Sequence, residues 1–127
     1  MPVIARLTEA HATAAEDRMD AWMALGRHVA AASELERMVD EAPLRERRWA
    51  QLILALYRSR RQADALRAYQ RCRTVLADEL GIDPGPELRA LEQAVLGQDP
   101  SLEARAAIAP AVTTDEIDAA PLASDPL

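Results

Sequence analysis

The chain has 127 residues, half of them hydrophobic and 28% charged, with a net charge of −6 and a single cysteine. That length and apolar content suit one domain with its own core and exclude disorder throughout, and one cysteine excludes an internal disulfide and a thiolate metal cluster. Charged residues interrupt every helix-length window, which speaks against a membrane span or a signal-peptide segment, so a cytoplasmic protein is expected.

From Ile4 onward, Leu7, Ala14, Ala15, Met19, Trp22 and Leu25 recur at three- and four-residue steps, which predicts an amphipathic helix ended by Gly26. A second helix carries Val29, Ala32, Leu35, Met38 and Val39 and stops at Pro43, whose ring cannot continue a helix interior. The third runs from about Leu44 to Arg58 through Trp49, Leu52, Ile53 and Leu56, with its turn at Ser59 and Arg60. The fourth, about Gln62 to Leu80, carries Ala65, Leu66, Tyr69, Cys72, Val75 and Leu76 and meets Gly81, a residue suited to a left-handed cap. Asp83-Pro84-Gly85-Pro86 forces a turn and opens a fifth helix, with Pro86 in its first turn and Glu87 at the positive end of its dipole. Leu88, Leu91, Val95 and Leu96 form its apolar face and Gly97 closes it. Residues 103–127 read as an acidic, Pro- and Ala-rich tail, mostly disordered or a linker.

Every basic residue apart from two histidines is arginine, and Lys, Asn and Phe are absent, a codon signature of a GC-rich bacterial genome. The arginines are unevenly placed. Residues 44–73 hold nine of them against Glu46 and Asp64, whereas the segments on either side are acidic. A basic middle is hidden inside an acidic chain.

Shifted by thirty-four residues, the chain pairs Ala15 with Trp49, Trp22 with Leu56, Gly26 with Arg60, Ala31 with Ala65, Leu35 with Tyr69, and Met38 with Cys72. That is the tetratricopeptide period. Trp49 and Leu52 stand where such a repeat anchors its first helix, and Ala65, Tyr69 and Cys72 where small, aromatic and small residues seat the second. Arg60 occupies a turn position where glycine is usual. The expected fold is therefore all-α, a tetratricopeptide-like array of about five antiparallel helices occupying residues 1–102.

The stretches PLRERRWAQLILALYRS, RQADALRAYQR and LADELGIDPGPELRALEQAVL, within a match over about residues 4–102, resemble the bacterial transcriptional activator domain of the Streptomyces antibiotic regulatory protein family. The resemblance implies a helical module that mediates protein contacts, usually placed after a winged-helix DNA-binding domain, and helps activate biosynthetic genes. Because the chain opens inside the domain's first long helix, the expectation is a module without that winged helix and without direct DNA binding of its own.

Enzymatic chemistry has little material to work with. His11 and His28 lie on different helices, no phosphate-binding glycine loop or HExxH spacing occurs, and no cofactor or metal is expected. Cys72, flanked by Arg71 and Arg73, reads either as a thiol activated by cations or as an inward-facing core residue, and its repeat position favours the core.

The arginine-rich middle has three readings: a solvated face paired with neighbouring carboxylates, an anion-recognising patch for an acidic partner or the chain's own tail, and a nucleic-acid surface, which the overall charge disfavours. Under the second reading Arg47, Arg48, Arg58 and Arg61 form the patch. Repeat geometry adds Glu16, Asp20 and Met23 from the first helix, with Ala50, Leu54 and Tyr57 from the third, as a groove for a partner helix or extended peptide. For Leu54 and Tyr57 a core role is the equal alternative. The expected function is a non-catalytic protein-interaction module, its partner being transcription machinery, other domains of its own regulator, or a second copy that covers the fifth helix, a face that residues 100–109 folding back would cover instead. The competing reading is a stand-alone accessory protein that regulates or stabilises a biosynthetic enzyme.

Overall fold

The structure, a computed structural model, describes residues 3–103, and the expected tail lies outside them beyond Glu103. Five α-helices follow one another: α1 Val3–Ala24, α2 His28–Glu41, α3 Glu46–Arg58, α4 Gln62–Leu80 and α5 Pro86–Leu96, with a 3-10 turn at Pro100–Glu103. They form the expected tetratricopeptide-like array, all-helical throughout the described residues.

α3 is the centre. Its residues Arg48 to Leu56 are buried without a break, so over this stretch nearly all of the helix is covered, as a core helix must be. α2 and α4 pack along it, and α1, α5 and the 3-10 turn close the remaining faces. α2 contributes Ala31, Ala32, Leu35, Met38 and Val39, α4 contributes Ala65, Ala68, Tyr69, Cys72 and Leu76, and α5 contributes Leu88, Leu91 and Val95. Alanines at 31, 32, 65 and 68 let the flanking helices approach α3 closely, and Trp49 fills the seam near its start, its indole N–H donating to Pro43 O at 2.8 Å.

The thirty-four-residue period is written in the backbone. Where α1 turns into α2, the N–H of Arg27 donates to Trp22 O at 2.9 Å and that of Ala31 to Arg27 O at 3.0 Å; where α3 turns into α4, Arg61 donates to Leu56 O at 2.9 Å and Ala65 to Arg61 O at 3.0 Å. Each turn passes through a left-handed residue, Gly26 at φ 79° and Arg60 at φ 67°. Only the first can adopt that conformation without steric cost. Gly81, at φ 66°, ends α4 as the sequence predicts, but the left-handed residue after α5 is Gln98 at φ 52°, one place beyond Gly97.

Several positions depart from the sequence pattern. Leu7, Leu25 and Val29 match the apolar period yet are exposed, Leu25 in the α1–α2 turn and Val29 in the first turn of α2. The face of α5 is covered from within the chain. Leu88, Leu91 and Val95 are buried, and Leu102 on the 3-10 turn has no exposure at all. Arg58 holds that turn by donating from Nε to Leu102 O at 2.8 Å, and Gln62 Nε2 donates to Val95 O at 2.9 Å. A second copy is not needed to bury this face. Among the described residues no helix is long and apolar enough to cross a membrane.

Candidate functional site

The acidic first segment and the basic middle of the sequence meet along the α1–α3 seam. Glu16 of α1 is 1% exposed, and its carboxylate receives Arg48 Nε at 2.8 Å, Arg45 Nη2 at 2.9 Å and Arg45 Nε. Arg45 also reaches Glu9 at 2.8 Å, so one guanidinium spans two turns of α1. Arg48, 3% exposed, completes its set on Met38 O at 3.0 Å, tying α2 into the same knot. Beside it Arg47 donates to Asp17 at 2.7 Å and Asp20 at 2.8 Å, and Gln51 Nε2 donates to Glu16 O and to Asp20, both at 2.8 Å. Burial pushes the Glu16 carboxyl up, but the hydrogen bonds and charges of Arg45 and Arg48 outweigh it and hold it below its ordinary value. The same contacts, with Glu9, raise Arg45.

Farther along the chain the arginines are also matched. Arg61 and Arg67 share Asp64, Arg71 meets Glu36 at 3.1 Å while lying over the Trp49 ring, and Arg60 meets Glu103. At least seven of the nine arginines in residues 44–73 thus form ion pairs with carboxylates. Arg45, Arg47, Arg48 and Arg71 brace one helix against another, whereas Arg61 and Arg67 pair locally with Asp64 and, like Arg60, stay at the surface.

This placement redraws the expected groove. Met23, Leu54 and Arg48 are buried at 4%, 1% and 3% exposure, Met23 and Leu54 in the apolar core and Arg48 on Glu16, and present no surface to a partner. Tyr57 is half-buried against the core. Asp20 and Arg47 do come together, bound to each other. Arg58 stands at the opposite end of α3, about 16 Å from Arg47 by helical rise, on Leu102 O, and Arg61 lies past the turn at the start of α4, on Asp64. These arginines do not make one patch.

A concavity does exist, one helix over. Glu46, Arg47 and Ala50 of α3 face Gly85, Pro86, Glu87 and Leu88 at the start of α5 across a cleft of about 520 Å³. Its end is fixed by Gly85 N–H, which donates to Glu46 Oε1 at 2.9 Å. A Cβ on Gly85 would stand 3.1 Å from that oxygen, so the glycine of the DPGP turn permits the contact. Sequence reasoning missed Glu46 and residues 85–88 as site candidates, having taken DPGP as punctuation. The available signal was Glu46, an acid in the first turn of a helix otherwise opened by arginines.

Cys72 is buried and its thiol is pushed up to about 12, by loss of solvent first and by the Glu46 charge second, so the packing reading of this residue prevails over the reactive one.

The family model of the bacterial transcriptional activator domain matches residues 2–96. Over 99 residues the chain is 50% identical to the transcriptional regulatory protein EmbR of Mycobacterium tuberculosis, covering 78% of this chain and 26% of that protein. It is 48% identical over 97 residues to the regulatory protein AfsR of Streptomyces coelicolor, covering 76% and 10%, and 36% identical over 111 residues to the regulatory protein DnrI of Streptomyces peucetius, covering 87% and 41%. Among solved structures, Mycobacterium tuberculosis EmbR in complex with a low affinity phosphopeptide superposes with a TM-score of 0.74 at 47% identity, over 81% of this chain and 28% of that one. The chain therefore spans about a quarter of the length of EmbR. With the helical array, its repeat register and these matches in agreement, the chain belongs to the bacterial transcriptional activator domain family.

Proposed function

We propose that the chain acts without catalysis as the protein-binding module of a transcriptional regulator of secondary metabolism, its partner being transcription machinery or another domain of the same regulator. The observation that carries this reading is portability. The same segment makes up 26%, 10% and 41% of three regulators, so it recurs as a unit in proteins of very different length, each a regulator by name. A binding role is supported by a complete core and by an open concavity between the first helices of successive repeats, where such arrays receive ligands.

The test is to tether the chain to a heterologous DNA-binding domain upstream of a reporter promoter in Streptomyces coelicolor. Reporter output above that of the DNA-binding domain alone is expected. A folded, expressed fusion that leaves the reporter at background rejects transcription machinery as the partner.

A further inference from the structure

We propose that the cleft between α3 and α5 receives a short cationic segment of a partner protein, one large apolar side chain entering the cleft while flanking arginines or lysines meet its carboxylate rim. This rests on the interaction-module reading and names the chemistry of the partner.

The floor is apolar and set low. Ala50 and Leu88, both almost wholly buried, close its base, Gly85 contributes no side chain, and the exposed Pro86 forms the opposite wall. The resulting volume, about 520 Å³, accommodates a leucine or aromatic side chain. The rim is acidic. Glu87 is exposed and has no ion pair among the described residues. Glu46 engages one oxygen with Gly85 N–H and leaves the other. Beyond Arg47 stand Asp17 and Asp20, which share its guanidinium. Two carboxylates thus line the cleft, and its one cation, Arg47, is already paired with two more outside it.

An acidic occupant is repelled by this rim, which reverses the expectation drawn from the arginine count. The chain's own residues 104–127 carry Asp115, Glu116, Asp118 and Asp125 against Arg105, so they are poor candidates for the cleft. A carboxylate rim over an apolar floor instead selects an apolar anchor with cations on either side.

The experiment is to pan a random dodecapeptide library against the full chain and to measure the enriched peptides by fluorescence anisotropy. The expected peptides carry net positive charge around one large apolar residue and bind less tightly as salt rises. Glu87→Arg, at an exposed position, is expected to weaken them about fivefold. Enrichment of acidic or uncharged peptides, failure to enrich any peptide, or affinity unmoved by Glu87→Arg overturns the proposal. Reporter activation by the tethered chain alongside such a failure would leave the module reading standing and reject the cleft; an inactive reporter alongside cationic binding would reject transcription machinery as the partner and leave the cleft standing.

Discussion

Glu16 Oε2 accepts from Arg48 Nε at 2.8 Å with both side chains almost wholly buried, in a seam where α1, α2 and α3 meet. Such a pair adds little over a well-packed apolar pair, yet it is costly to break, because the surviving partner keeps a buried, uncompensated charge. Glu16→Ala is therefore expected to lower unfolding free energy by about 3–5 kcal/mol, a large part of what a domain this size has. The double variant Glu16→Leu with Arg48→Met, which removes both charges, should recover most of the loss. Urea denaturation followed by circular dichroism decides it, and a double variant no better than the single one would refute the pairing.

The same carboxylate makes stability depend on pH. Its folded pKa is held below the ordinary 4.5, so its contribution is fully present above 4.5 and is lost as pH falls through the depressed folded value. Thermal melts from neutral pH downward should show stability declining once pH passes below about 4.5. In Glu16→Gln, less stable at neutral pH, that decline should be shallower. An unchanged slope would assign the acid sensitivity to other carboxylates.

Cys72 gives a simple check on the core. Its thiol, pushed up to about 12 by burial and then by Glu46, should resist iodoacetamide at neutral pH in the native protein and react within minutes in denaturant. Labelling of the folded chain at the rate of a free thiol would place Cys72 at the surface.

Arg60 carries backbone strain that Gly26 avoids in the equivalent turn thirty-four residues earlier, both residues having positive φ. Arg60→Gly should raise stability by about 1 kcal/mol, since the exposed ion pair it loses, to Glu103 at 3.3 Å, contributes little. A fall in melting temperature would mean that the Glu103 contact matters more than the φ relief.

The helices and their order were legible because their ends are chemically marked: Gly26, Pro43, Gly81 and Pro86 each leave a local signature that needs no tertiary information. The repeat was legible for the same reason, as its turns share hydrogen bonds in one register. The direction of individual arginines was not. Arg47 and Arg48 are sequence neighbours on one helix, about 100° apart around its axis, and what sends Arg48 inward is Glu16, more than thirty residues away. A clue did exist in the unbroken run from Trp49 to Leu56, whose one polar residue is Gln51: a helix apolar all round is a core helix, and its first arginines then need buried partners. The cleft was hidden because it is formed by the absence of bulk at Ala50 and Gly85, which a sequence presents as filler and turn.

The most direct test of the central claim, that the arginines brace the fold while the acidic-rimmed cleft meets the partner, is reporter output from the tethered chain carrying either Glu87→Arg or Arg67→Glu. Both positions are exposed, Arg67 on the outer face of α4 with Asp64. The account predicts that Glu87→Arg loses activation and Arg67→Glu retains it, with both proteins folded. Retention in the first and loss in the second would contradict it and return the arginine face to the role of partner surface.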